Sequence, residues 1–353
     1  MCYNLLIIMI PFYNTSGGAN RTVEEALVYK TKKYQLFDTS LISDIFKRVL
    51  NKKVIGFEKP LNIGLPHVSY VVHLEQSEDL FFRANLGPKE PEVQLVKEQL
   101  VSNVARAHGL PANHIIHVDI SRNIYPFDFQ IQEMVQGLDA EIEFHGTKEN
   151  YDTFSFSIGQ LVARLSEITV SGFGQFSPEK VLEGKFIGES TSLFEYIQIQ
   201  LEEEIQEIEH AGYITTYTAE KLRGVFRSSQ SLCGCKKSSL VHYDLADHNL
   251  RYDPKTFEVS AVFDWEAAVA GDTVLDLASC PTWKTLYPRE EKLLEGYLSL
   301  KPRPDHLVEK MKLFKLRTIL WKVCQNIKFS IFIPERQKRF EDALALFGLE
   351  MKV

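Results

Sequence analysis

Three polar side chains could do chemistry together: Asp244 in Leu240-Val241-His242-Tyr243-Asp244, then Asn249, then Asp264 in Val259-Ser260-Ala261-Val262-Phe263-Asp264-Trp265-Glu266. Two runs rich in β-formers, 249–253 and 258–264, flank the turn formers Asp253-Pro254-Lys255-Thr256, and a hairpin there brings the three to one end. Phosphoryl transfer needs one carboxylate beside the attacking hydroxyl. It also needs an amide oxygen and a second carboxylate to hold Mg²⁺ against nucleotide phosphates. The spacing His-x-Asp-x-x-x-x-Asn, followed by an apolar strand and Asp, supplies those parts in that order. Any one of them alone would be an ordinary loop residue or strand cap; three in register behind apolar runs point to a site.

His242-Tyr243-Asp244-Leu245-Ala246-Asp247-His248-Asn249 and Phe263-Asp264-Trp265-Glu266, followed by Gly271-Asp272 and Asp276-Leu277-Ala278, resemble the signature of the aminoglycoside phosphotransferase family. The resemblance extends over about residues 40–330. Within it, Ser171-Gly172-Phe173-Gly174 and the spacing up to Asp264-Trp265 resemble hygromycin B kinases. It implies an α+β, bilobal protein-kinase-like fold: a small lobe with an antiparallel β-sheet and one main helix, and a large, mostly helical lobe. The expected division is an N-terminal extension over 1–39, a nucleotide-binding lobe over 40–135, and a lobe carrying the catalytic loop and acceptor site over 136–353.

The elements that would position the site follow in chain order. Residues 40–50 place apolar groups at helical spacing behind Ser40, and strands are predicted at 53–58, 67–75 and 79–85. Between the first two strands, Asn62-Ile63-Gly64-Leu65-Pro66 stands where a glycine-rich loop would cover phosphates; it reads equally as a plain hairpin turn. Ser69 could offer a phosphate its hydroxyl or amide. The third strand ends in Arg83, where a protein kinase has its lysine, and the guanidinium fork can bridge a phosphate and a helix carboxylate. Glu98, in the helical pattern 93–105 that ends near Gly109, is the partner this order of elements suggests. The strand 127–135 runs into a hinge at Gln136-Gly137. There the resemblance implies that the Gln132 carbonyl and the Met134 amide meet the adenine edge, with core packing the other reading of Met134.

Helices are expected over 154–168, 192–210, 218–231, 274–286, 288–299 and 304–328. In the second of these, Glu202, Glu203, Glu204, Glu207 and Glu209 lie largely off the apolar stripe and read as a solvated face, with a role in acceptor binding the alternative. Asp276 is expected, from the resemblance, to hydrogen-bond the catalytic-loop backbone, and His242 to pack the loop rather than act as a base.

The 353 residues are 44% hydrophobic, enough for two lobes with their own cores. A net charge of −7 and a pI near 5.9 argue against nucleic acid as a partner and suit a cationic acceptor. Five cysteines, with Cys233-Gly234-Cys235 the one close pair, give neither a disulfide framework nor zinc spacing, so a reduced, cytoplasmic protein is expected. The apolar run Leu5 to Phe12 is too short to span a bilayer and reads as a packed strand or a tail.

Together these residues and the family resemblance imply a Mg²⁺-dependent enzyme moving the γ-phosphate of ATP or GTP to a hydroxyl of a small, aminoglycoside-like acceptor. Asp244 is its base, Asn249 and Asp264 its metal ligands, and Ser69, Arg83, Glu98, Gln132 and Met134 its nucleotide contacts. An antibiotic-resistance role follows from that acceptor, and a monomer or homodimer is expected. The alternatives are a metabolic kinase of the same fold, of choline, sugar or homoserine type, and a non-catalytic nucleotide-binding module.

Overall fold

Antiparallel pairing organises the first half of the chain. A computed structural model describes residues 11–13, 28, 32–61, 67–86, 93–235 and 237–352. Strands β1 (Val54–Glu58), β2 (Val68–Leu74), β3 (Leu80–Asn85), β4 (Ile115–Asp119) and β5 (Asp128–Glu133) form one sheet in the order β1-β2-β3-β5-β4. Alternation along β2 and β3 turns Val68, Tyr70, Val72, Leu80 and Phe82 inward. They meet Ile42, Ile45 and Phe46 of α1 (Ser40–Leu50), and this cluster is closed by Phe37, Phe127, Phe129 and Ile131. α2 (Val93–Ala107) carries Glu98 and ends at Gly109, whose φ of +70° suits the left-handed turn that stops a helix. The expected strands and first two helices thus form within a residue or two of their predicted bounds. The candidate phosphate loop at 62–66, and Leu5 to Ile10, lie outside the described residues.

A second core is built mainly from residues after Gly137 and takes in Phe12, Tyr13, Val101 and Ala105 from earlier segments. Strands β6 (Leu138–Asp139), β10 (Leu250–Tyr252) and β11 (Val259–Val262) make a three-stranded sheet. β7 (Phe173–Phe176), β8 (Gly188–Ser190), β9 (Ser239–Val241) and β12 (Val269–Gly271) make a four-stranded one. Around them lie α3 (Lys148–Leu165), α4 (Pro178–Leu182), α5 (Leu193–Gln198), α6 (Leu201–His210), α7 (Thr216–Arg227), α8 (Val274–Ser279), α9 (Glu290–Leu298), α10 (Leu307–Lys328) and α11 (Pro334–Ala345). α3 and α9 cross in backbone contact: a Cβ on Gly159 would strike the Leu293 carbonyl, and one on Gly296 would strike that of Phe156.

Several helices depart from the sequence reading. α3 starts at Lys148 rather than at 154, because Thr147 and Asn150 form a reciprocal capping box. The helix expected over 192–210 is two, broken at Gln200, which takes a left-handed φ of 58°. The segment expected over 274–286 stops at Ser279 and passes into a 3-10 turn through Pro281. α11, with Pro334 at its first turn, lies beyond the helices the sequence predicts. Glu204 also departs from the solvated face: it is buried and paired with the buried Arg317 at 2.6 Å. Among the described residues no helix is long and apolar enough to cross a membrane.

Candidate active site

The loop after β9 is held from below by one carboxylate. Asp276, fully buried at the start of α8, accepts from the His242 amide at 3.0 Å and from the Tyr243 amide at 2.7 Å. Tyr243 has φ 68°, strained for a residue with a side chain, and the clamp holds it there. His242 is buried against Trp265; its Nδ1 accepts from the Asp244 amide at 3.2 Å, so Nε2 carries the proton and donates to the Phe263 carbonyl at 3.2 Å. Burial drives its pKa down to about 3. It is a neutral strut, as the sequence suggested. Further along, Asp247 is pinned by the buried Arg289 and by the Tyr151 hydroxyl at 2.7 Å.

This loop and the β10–β11 hairpin bring Asp244, Asn249 and Asp264 together. Asn249 Nδ2 donates to the Asp244 carbonyl at 3.0 Å, leaving its amide oxygen for another partner, and the Phe263 amide donates to the Asn249 carbonyl at 3.2 Å. Asp264 follows in a left-handed conformation, φ 65°, which turns its side chain out of the strand. Burial raises the pKa of Asp244, opposed by His248 and Lys322. Burial raises that of Asp264 well above the ordinary range, and Glu266, Glu98 and Asp244 push the same way against Arg83.

Arg83 forms the expected ion pair with Glu98, and its Nη2 also lies 3.0 Å from Glu266 Oε1. With its amide oxygen turned toward the guanidinium, Gln130 accepts from Arg83 Nε at 2.9 Å. Burial lifts Glu98 to about 7 despite Arg83. His67 Nδ1 stands 3.9 Å from Glu266, and the buried Lys33 donates to the His67 carbonyl at 2.7 Å. Asp264, Glu98 and Glu266 therefore crowd negative charge around Arg83, and Asp244 adds to it beside Asp264. That excess, with two oxygen donors from Asp264 and Asn249, fits Mg²⁺, which takes few protein ligands and completes its octahedron with phosphate and water. Among the described residues no group of three or more His, Cys, Asp or Glu is arranged to hold a metal alone.

The remaining nucleotide candidates stand on the same sheet. Ser69 pairs with Arg83 across β2 and β3, but its amide already donates to the Tyr34 hydroxyl at 3.3 Å, so the hydroxyl is the group left to offer. Gln132 is flanked by Phe81 and Ile115, and its side chain accepts from Asn113 at 2.7 Å. Met134 stands just past the strand end, 38% exposed.

Sequence reasoning missed the far side of Asp244. Tyr13 packs on Trp321 with ring centroids 4.1 Å apart, and its hydroxyl is directed at Asp244 without completing a hydrogen bond. Neither that hydroxyl nor Asp244 Oδ1 has a hydrogen-bond partner among the described residues. Burial, then Asp244 and Asp264, raise the phenol's pKa. Lys322 donates to the Thr282 hydroxyl at 2.7 Å and lies over the Trp283 ring at 3.2 Å. Burial lowers its pKa, with Asp244 opposing and Arg339 and Arg336 adding to the fall. None of these residues belongs to a short motif; they are assembled from three distant segments, and periodicity assigns them to a tail or to helix packing.

The model of the phosphotransferase enzyme family (APH) matches residues 59–301. No curated protein sequence matches the chain. Among solved structures it is similar to aminoglycoside phosphotransferase APH(4)-Ia, at 16% identity over 86% of this chain and 97% of that one, with a TM-score of 0.61. A putative fructosamine-3-kinase from Thermobifida fusca aligns at 16% identity over 87% of this chain and 100% of the other, TM-score 0.62. Macrolide 2'-phosphotransferase MphH from Brachybacterium faecium aligns at 16% identity over 86% and 98%, TM-score 0.57. At such identities these likenesses establish the fold, which is protein-kinase-like.

Proposed function

The chain belongs to the phosphotransferase enzyme family, and from that premise we propose that it transfers the γ-phosphate of ATP or GTP, with Mg²⁺, to a hydroxyl of a small acceptor, using Asp244 as the base. One observation carries the reading. Asp244 Oδ1 is buried with no hydrogen-bond partner among the described residues, beside Asn249 and the electrostatically crowded Asp264. A buried carboxylate oxygen without a partner is costly unless it serves a ligand.

Residues 40–135 form the nucleotide lobe in this proposal, and 136–353 carry the catalytic loop and acceptor site. Asn249 and Asp264 would hold Mg²⁺, which neutralises charge on the phosphates when bound. Arg83, steadied by Glu98 and Gln130, meets phosphate oxygens with the fork that now also reaches Glu266. Ser69 adds its hydroxyl, and the backbone at Gln132 and Met134 meets the base. Asp244 orients the acceptor hydroxyl and takes its proton late, since a loose transition state asks little nucleophile activation. The buried thiols Cys233, Cys280 and Cys324 are free, as in a reducing compartment such as the cytoplasm.

A thermostable mutant of APH(4)-Ia has been solved with AMP-PNP and hygromycin B, and an aminoglycoside-like, cationic acceptor is the first reading here. The second, a metabolic kinase of choline, sugar or homoserine type, gains support in its sugar form from Lys322, which interacts with Asp244 and has Arg336 and Arg339 near it. A nucleotide-consumption screen against hydroxylated antibiotics and metabolites decides between them: turnover with aminoglycosides supports the first, and turnover confined to metabolites such as choline, sugars or homoserine supports the second. The absence of Mg²⁺-dependent nucleotide binding would overturn both.

A further inference from the structure

The acceptor side of Asp244 is filled by the chain itself. Phe12 is fully buried, and its backbone is tied at both ends. Its amide donates to Gln200 Oε1 at 3.1 Å, while its carbonyl accepts from Gln175 Nε2 at 3.1 Å and from the Tyr196 hydroxyl at 2.8 Å. Its ring stacks on Tyr196 at 5.0 Å and sits under the Arg317 guanidinium at 3.5 Å. That guanidinium is itself fixed by Glu204 and by the Ile197 carbonyl at 2.7 Å. These contacts form a seat for Phe12, and they deliver the next residue, Tyr13, between Trp321 and Tyr243, with ring centroids at 4.1 and 5.5 Å. The left-handed Gln200 that broke the predicted helix is part of the seat.

The outcome is a phenol whose hydroxyl is directed at the carboxylate of Asp244, with Asp264 also close enough to act on it. Two buried polar atoms, Tyr13 Oη and Asp244 Oδ1, lack hydrogen-bond partners among the described residues. An acceptor alcohol must stand in that place: against the base, with the cation-binding carboxylate beyond it.

We propose that Tyr13 is a phosphoryl acceptor in cis, modified by the enzyme's own active site; this rests on the reading of Asp244 as base. The bond from the γ-phosphorus to Tyr13 Oη forms as its bond to the β–γ bridging oxygen breaks. The phenolic proton passes to Asp244, and the nucleoside diphosphate leaves. The phosphotyrosine so made carries close to two negative charges; once Asp244 has released the proton to water, its carboxylate repels them, so the segment leaves the seat and the cleft opens to other acceptors.

The test uses the full chain with γ-labelled ATP and Mg²⁺, nucleotide Kd by calorimetry, release of nucleoside diphosphate, and mass-spectrometric mapping of phosphate. The expected result is a single phosphate on Tyr13, formed at a rate constant independent of protein concentration. It should be absent in Tyr13→Phe, which keeps the ring against Trp321, and in Asp244→Asn. Label on Tyr13 that forms in proportion to protein concentration overturns transfer in cis. No label on Tyr13, in a chain that binds nucleotide with Mg²⁺ and releases diphosphate, overturns the proposal and leaves the enzyme reading standing. No nucleotide binding at all overturns both.

Discussion

Asp276 Oδ1 lies 2.7 Å from the amide of Tyr243, and its second oxygen lies 3.0 Å from that of His242. One buried carboxylate therefore fixes two consecutive peptides, one of them left-handed, directly before Asp244. Burial lifts its pKa to about 7 while the two amides act to lower it. Replacing it with Ala leaves both donors buried and unpaired and should cost about 2–4 kcal/mol of stability. Asp276→Asn, which keeps one acceptor oxygen, should cost less. Denaturant unfolding of the two variants checks this; equal, small losses would show that the loop keeps its shape without the clamp.

Arg83 is shared between Glu98 and Glu266. Glu98 comes from a helix and aims the guanidinium, so Glu98→Ala should loosen it and weaken nucleotide binding about tenfold, equivalent to about 1.4 kcal/mol. Arg83→Lys, which loses the fork, should weaken binding comparably. Calorimetric Kd values with Mg²⁺ report both, and unchanged affinity in either variant would remove the pair from nucleotide recognition.

His242 gives a pH signature. Its folded pKa is depressed to about 3 by burial, against about 6.5 for an exposed imidazole. The unfolded chain therefore binds a proton between those values that the folded chain does not. The stability His242 contributes is complete above about pH 6.5 and is lost as pH falls toward 3, at up to about 1.4 kcal/mol per pH unit. Asp276 and Glu98, raised to about 7, act with the opposite sign in part of that window, so the test is a difference. Stability against pH for wild type minus His242→Gln should rise from pH 4.5 to 6.5. A flat difference would mean that the ring is protonated in the folded protein.

Much of this site was readable because it is local. Asp244, Asn249 and Asp264 sit on one hairpin and one loop, and a short spacing with a fixed turn determines where they meet. The small lobe was readable for the same reason: period-2 runs make strands, and the order of elements paired Arg83 with Glu98. Contacts that bring distant segments together could not be read. Glu204 looked solvated because its neighbours in sequence are acidic, yet Arg317, from α10, draws it inside. Gln200 broke a helix whose apolar stripe ran on unbroken, because its side chain and turn serve Phe12. Tyr13 had no periodic pattern to mark it, and only the fold sets it against Asp244.

The most direct measurement is phosphoryl transfer by Asp244→Asn beside wild type, on an acceptor found in the screen, with nucleotide Kd and melting temperature taken on the same samples. With Asp244 as the base, kcat falls by at least ~10², the usual scale of a general base, with Kd and melting temperature nearly unchanged. Transfer by the Asn variant at the wild-type rate would contradict it, as would a loss of activity fully matched by weaker nucleotide binding and a lower melting temperature.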